Sequence, residues 1–319
     1  MPGSVTNAIV VAGPTASGKT ALALALAERL RGEAECEIVN YDSVQLYRDF
    51  DVGTAKPARE ELLRAKHHLI GSVDARAPWT AGEYARRARP VVKEIASRGC
   101  VPILAGGTGF YLRALLSGLS PAPAADAKLR ERLRRRSPMQ LHRLLQRLDP
   151  AAAACIAPRD ASKAIRALEL RLLTGHARGE IWQAAPAQPW STLRTLRLGL
   201  VPARAALYAR INGRAVAMFA GPIQEETRRL LAAYPAGLRI WSSHGYKQAC
   251  DILLHGADPA AALAEAQQEQ RHYAKRQWTW FRADGGMHWL AGFGEETAVQ
   301  EEAAALAREF LTAASTTIK

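Results

Sequence analysis

Residues 13 to 20 read GPTASGKT, the spacing G-x-x-x-x-G-K-[ST]. In that pattern the glycines let the backbone wrap so that its N–H groups face a phosphate. Gly13 and Gly18 permit the wrap here, Lys19 supplies a point charge, and the Thr20 hydroxyl is the expected Mg²⁺ ligand. Asp42 closes an apolar run, CEIVNYD. It is readable as a metal-side acid, as a general base, or as a cap for the turn it forms with Ser43. GGTGFY at 106–111 offers a backbone that a ligand can approach closely.

Two stretches suit a polyanion. Residues 126–150 hold Lys128, Arg130, Arg132, Arg134, Arg135, Arg136, Arg143 and Arg147 against Asp126, Glu131 and Asp149, a net +5. Like charges in a run repel, and a nucleic-acid backbone relieves that by counterion release. RHYAKRQWTWFR at 271–282 interleaves basic and aromatic residues, the composition for phosphate contact and base stacking, although about half of its rings belong to a core at helical spacing.

These residues need elements to position them. AIVVAG (8–13) predicts a strand entering the phosphate loop, and KTALALALAERL (19–30) a helix leaving it. CEIVNYD (36–42), HHLIGSV (67–73) and VPILAGG (101–107) predict further strands, with a helix over 81–99. Strands alternating with helices imply a parallel α/β sheet. The pattern changes near 119, turns helical and Arg-rich, and returns to a strand at TLRLGLV (195–201). The expected organisation is a P-loop kinase-like α/β core over 1–118 and 193–319, with an all-helical insertion over 119–192. From 203 onward the chain reads as mostly helical.

The 319 residues carry a net charge of +13 and are 48% hydrophobic, which fits a folded protein with a polyanionic partner. Cys36, Cys100, Cys155 and Cys250 are far apart and suggest neither a disulfide framework nor a zinc site. A reducing cytoplasm is expected. The N-terminal run AIVVAG is too short to span a membrane, and no membrane partner is expected.

GPTASGKT, NYDSVQLYRDFDVGTAKP (40–57), GGTGFYLRALLSGLSPAP (106–123) and YAKRQWTWF (273–281), taken together and in this order, resemble the tRNA dimethylallyltransferase family from about residue 9 to 290. The resemblance implies transfer of a dimethylallyl group from dimethylallyl diphosphate to the exocyclic N6 amine of the adenosine 3′ of the tRNA anticodon. The substrate tRNAs would read codons beginning with U, and Mg²⁺ would assist. The phosphate loop would then hold a prenyl diphosphate through Thr15, Ala16, Ser17, Gly18, Lys19 and Thr20. Asp42 would be the general base or orienting acceptor, Thr108 would sit in the reaction channel, and Arg214 would reach the diphosphate. Asp42, Ser43, Val44 and Gln45 would contact the target base, and Arg130 would mark a further tRNA contact. Ser162, Lys163, Ala164, Ile165 and Arg166 would lie along the anticodon stem-loop. So would Ser242, Ser243, His244, Gly245, Tyr246 and Lys247, and finally Lys275, Arg276, Gln277, Trp278, Thr279, Trp280, Phe281 and Arg282. A monomer is expected.

Four positions depart from the family pattern: Gly71 stands where an Asp follows HHLI, Lys163 where Arg is common, Pro222 where Leu is favoured and His244 where an aliphatic residue is usual. Two rival readings are a P-loop kinase with residues 128–147 as an arginine lid, and an ATP-gated RNA-binding module. The insertion is larger than a lid needs, and the second rival leaves Asp42, Thr108 and Arg214 without a role.

Overall fold

The computed structural model describes residues 5–316 apart from Pro78. The strands are β1 (Thr6–Ala12), β2 (Cys36–Asn40), β3 (His67–His68), β4 (Val101–Ala105), β5 (Leu193–Leu200) and β6 (Met287–Leu290). They form one sheet in the order β3-β2-β4-β1-β5-β6, and every pairing is parallel. β1 lies inside the sheet between β4 and β5 and is almost wholly buried, as its unbroken apolar run requires.

The helices of this unit are α1 (Lys19–Arg29), α2 (Arg59–Arg64), α3 (Ala81–Ser97) and α4 (Gly109–Ser117). The helices of the insertion follow: α5 (Ala127–Arg134), α6 (Pro138–Leu148), α7 (Pro150–Cys155), α8 (Ala161–Thr174) and α9 (Arg178–Ala184). The chain then returns to β5 and continues with α10 (Arg204–Phe219), α11 (Pro222–Ala233), α12 (Tyr246–His255), α13 (Pro259–Arg282) and α14 (Thr297–Thr316). Two compact units result: residues 1–116 with 191–319, and residues 117–190.

In the larger unit, Ile9, Val11, Ile103, Leu198 and Leu200 from the sheet pack against Leu22 and Leu26 of α1 and Val299, Ala303 and Ala307 of α14. The smaller unit has its own core of Leu133, Leu141, Leu145, Ile156, Ala167 and Leu168. Its helical run breaks where caps demand it. Asp126, Ser137 and Asp149 each accept from a first-turn N–H, and Pro138 and Pro150 follow the last two at the first helical position. Glu169 is fully buried among these helices. It accepts from Arg130 Nε and Nη2 at 2.8 and 2.7 Å, from Arg166, and from the Asp126 N–H at 2.8 Å.

Two elements differ from the sequence expectation. HHLIGSV is a strand only at its first two residues, because Leu69 (φ +58°) and Gly71 (φ +52°) turn out of the extended region. Val73 recovers one bridge to Tyr47. β6 falls in a stretch read as helical. Its four residues, MHWL, are too short to show a period of two.

Candidate active site

A cavity of about 630 Å³ opens in the larger unit where the phosphate loop follows β1, Asp42 follows β2 and Gly106 follows β4. This is the carboxyl edge of the parallel strands, where ligands of such sheets gather. α10 contributes Arg210 and Arg214 to the wall, and α13 contributes Tyr273 and Gln277.

The loop is shaped for an anion. Gly18 caps α1 at φ +87° with no side-chain cap, and the first turn of α1 has no acidic residue. Its free N–H groups and helix dipole favour negative charge. Ala16 is held at φ +63°, a strained position for a residue with a Cβ. Lys19 Nζ donates to Pro14 O at 2.8 Å. Burial pushes the Lys19 ammonium down to about 8, with Asp42 opposing and Arg214 adding to the fall. Arg214 is pushed down to about 10, chiefly by burial and then by Arg210. It donates to Thr15 Oγ1 at 2.8 Å and Gln270 Oε1 at 3.1 Å, while its Nε is buried without a partner. Two desolvated cations beside an uncapped helix start are the electrostatics that a multiply charged anion offsets.

Of the alternatives for Asp42, the cap is present in the structure. Its Oδ1 accepts from Val44 N–H at 3.0 Å, which caps the turn, and the side chain also lines the cavity. Asn40 Oδ1 takes the Asp42 N–H at 3.0 Å and so fixes the turn's entry. Thr108 Oγ1 accepts from Ser43 N–H at 3.0 Å and lies 3.2 Å from Ser43 Oγ. Thr108 and the Asp42 turn are therefore one hydrogen-bonded unit.

Two of the three glycines of GGTGF, Gly107 and Gly109, serve the packing of α13. A Cβ at Gly107 would collide with Gln277 Nε2, and one at Gly109 with the Trp280 ring. That approach lets Gln277 accept from Thr15 N–H at 2.7 Å and donate to Gly107 O at 2.8 Å. Gln277, expected along the RNA, is instead a buried strut between the phosphate loop and the loop that carries Thr108.

Other expected RNA contacts are also committed internally. Arg130 and Arg166 hold Glu169. Tyr246 is fully buried and donates to Glu226, whose carboxylate also takes the N–H groups of Asp51, Val52 and Gly53. Gly245, Ala164 and Phe281 are buried, and Trp278 packs against the Leu207, Ile211 and Ala274 cluster. His244 and Lys247 bind Glu269. Burial alone would raise that carboxyl, but hydrogen bonds from His244, Gln248 and Lys247 bring it down to about 2. Ser242 Oγ and Ser243 Oγ donate to Arg239 O and Ile240 O. Gln45 Nε2 donates to Ala55 O at 2.9 Å. Ser43, Val44 and Ile165 are half-buried, whereas Ser162, Lys163, Lys275, Arg276, Thr279, Trp280 and Arg282 are exposed.

Gly71 shows how its departure is accommodated. A Cβ there would meet only Lys56 Nζ, at 3.6 Å, and Lys56 pairs with Asp51 Oδ1 (2.5 Å) and Tyr47 O (2.8 Å) instead. Sequence reasoning missed Arg210, Gln270 and Glu295, and gave Tyr273 only as one ring of the basic-aromatic stretch 271–282. Arg210 carried a signal, lying one helical turn before Arg214; Gln270 and Glu295 did not.

A phosphate loop at the head of a central parallel strand, with a helical insertion between β4 and β5, defines a P-loop α/β protein. The chain belongs to the IPP transferase family, whose sequence profile matches residues 45–284. It is 51% identical to a tRNA dimethylallyltransferase of Koribacter versatilis, over 92% of this chain and 95% of that protein. To one of Geobacter sulfurreducens it is 42% identical, over 90% and 93%. Its fold is similar to the solved tRNA isopentenylpyrophosphate transferase of Bacillus halodurans, with 31% identity and a TM-score of 0.72 over 98% of this chain and 99% of that one. A eukaryotic dimethylallyltransferase described as acting on tRNA shares the fold at 24% identity, with a TM-score of 0.79 over 96% and 80%.

Proposed function

We propose that this chain transfers a dimethylallyl group from dimethylallyl diphosphate to the N6 amine of the adenosine 3′ of the anticodon, in tRNAs that read codons beginning with U. The carrying observation is the cavity that places Lys19, Arg214 and the uncapped start of α1 on the same walls as Asp42. Relatives named for this transfer support it.

In the reaction the bond from the allylic carbon to the diphosphate oxygen breaks, and its electron pair leaves with pyrophosphate. A new bond forms from that carbon to N6, and the displaced N6 proton passes to the Asp42 carboxylate. Lys19, Arg214 and the α1 N–H groups offset the charge that develops on the leaving group. Asp42 removes a proton from a weak nucleophile, worth ~10²–10⁴-fold. Thr108 and Ser43 hold its turn.

The donor set suits Mg²⁺. Thr20 lines the cavity and would hold the ion through its hard hydroxyl oxygen beside the substrate phosphates, which leaves the Asp42 carboxylate free as the base. Bound there, Mg²⁺ supplies further neutralisation of the pyrophosphate.

In this reading the insertion's exposed arginines grip the anticodon stem-loop, and a cytoplasmic tRNA is the substrate. Incubation with an anticodon stem-loop RNA and either dimethylallyl diphosphate or ATP, followed by mass spectrometry of the RNA, tests the reading. The RNA gains one dimethylallyl unit with the first. No gain, or a phosphoryl gain with ATP, overturns it.

A further inference from the structure

Arg210 and Arg214 lie four residues apart on α10, so they share a face, and both line the cavity. Their partners differ. Arg214 is anchored to neutral groups, Thr15 and Gln270. Arg210 holds Glu295 through two hydrogen bonds, Nη1 to Oε2 at 2.9 Å and Nη2 to Oε1 at 2.5 Å, and its guanidinium lies 4.9 Å over the Phe293 ring.

Glu295 sits on the segment between β6 and α14, which is docked on the phosphate loop. Gly294 N–H donates to Ser17 O at 2.9 Å. A Cβ on Gly18 would collide with Glu295 Oε2. The carboxylate thus stands at the uncapped start of α1, where a helix favours negative charge. Burial would raise the Glu295 carboxyl, but the bonds from Arg210 outweigh it and hold it below its usual range. It is a fixed anion beside a site built for another anion.

We infer that Arg210 is a second diphosphate arginine, held by Glu295 in the free protein and passed from that carboxylate to the phosphate oxygens when the diphosphate enters. The inference rests on the diphosphate reading above. The Arg210 and Glu295 side chains are 43% and 42% exposed, and an ion pair so placed is weak, so the exchange is cheap. A diphosphate carries more charge than one carboxylate and accepts a guanidinium bidentately. Glu295 keeps Arg210 aimed at the cavity mouth and resists diphosphate until Arg210 moves. The same resistance favours release of the product pyrophosphate.

Titration calorimetry of the full chain with inorganic pyrophosphate, with and without Mg²⁺, tests this on wild type, Glu295→Gln, Arg210→Gln and the double variant. Melting curves establish that all four are folded, and Arg210→Met, which keeps the length of the stem without the charge, serves in place of Arg210→Gln if that variant is not. Glu295→Gln should bind about three- to fivefold tighter, the range a weak ion pair allows. Arg210→Gln should bind roughly tenfold weaker, the loss of one charge-assisted hydrogen-bonding group. In the Arg210→Gln background, the gain from Glu295→Gln should shrink, since no guanidinium is left to release. Unchanged or weaker binding by Glu295→Gln overturns the inference, as does a gain that persists in full without Arg210. A wild-type protein that binds no pyrophosphate sinks the diphosphate reading itself, and the exchange with it.

Discussion

Asp42→Asn preserves the hydrogen bond from Val44 N–H, because an amide oxygen accepts as a carboxylate oxygen does. It removes the charge and the basicity. If the carboxylate takes the N6 proton, kcat falls by ~10²–10⁴-fold, while the stem-loop dissociation constant moves less than about tenfold. Single-turnover prenylation beside a melting curve of the same variant checks this. A purely capping Asp42 would give near-normal turnover. Lys19 carries a pH signature. Its ammonium, pushed down to about 8 by burial, is half neutral there in the free protein, and an entering anion pulls its pKa back up. Binding therefore takes up a proton, and affinity for dimethylallyl diphosphate should fall above pH 8, by up to about tenfold per pH unit. Lys19→Arg should abolish that slope, because a guanidinium keeps its charge. Calorimetry in buffers of different ionisation heat measures the proton directly.

At the scale of elements, Glu226 ties the 51–53 turn and Tyr246 of α12 to α11 through one buried carboxylate. Glu226→Gln faces an NH₂ group toward those donors and should cost about 1–3 kcal/mol in denaturant unfolding. Glu169 plays the same part in the insertion. Burial acts to raise its carboxyl, but Arg130, Arg166 and the Asp126 N–H together hold it below its usual range. A depressed carboxyl contributes stability above its unfolded value of about 4.3 and loses it as pH falls through the folded value. Far-UV circular dichroism of the whole chain should show helix loss below about pH 4. Glu169→Gln should flatten that acid limb and destabilise by roughly 3 kcal/mol. Helix existence was legible in the insertion because Asp126, Ser137-Pro138 and Asp149-Pro150 punctuate it. The destination of Arg130 and Arg166 was not. An arginine's count says nothing about a glutamate 39 residues on, and a polar residue inside a helix reads as solvated until its neighbours are known.

For the whole molecule, the +13 charge is now divisible. Arg130 and Arg166 are spoken for, while Arg134, Arg135 and Arg136 are exposed and only Arg135 has an ion pair among the described residues. Replacing these three with Ala should weaken tRNA binding and lower the log–log salt slope by about one unit for each phosphate left unneutralised. An unchanged slope would reduce this run to a solvated face. The architecture was legible where apolar runs were long and uninterrupted, as in β1, β4 and α1. The site was legible where a motif packs its chemistry into eight residues, as GPTASGKT does. It was illegible where chemistry is assembled across the chain. Gln277 meets Thr15 over 262 residues and Arg210 meets Glu295 over 85, and no local pattern encodes such meetings.

The strand order also sets a timetable for synthesis. β3, β2, β4 and β1 are complete once residue 105 has emerged, and together they can form the first four strands of the sheet. The other edge of β1, seven residues long, then stands naked until β5 arrives at Leu193. Residues 106–192 must be made in between, which takes about 4–17 s at ribosomal speed. Through that interval an unbroken row of N–H and C=O groups, flanked by Ile9, Val10 and Val11, is open to any strand nearby. The nascent chain is thus most exposed to mispairing while its insertion is being translated. A slow codon or a stalled ribosome within that window would lengthen the exposure without altering a single residue of the finished protein.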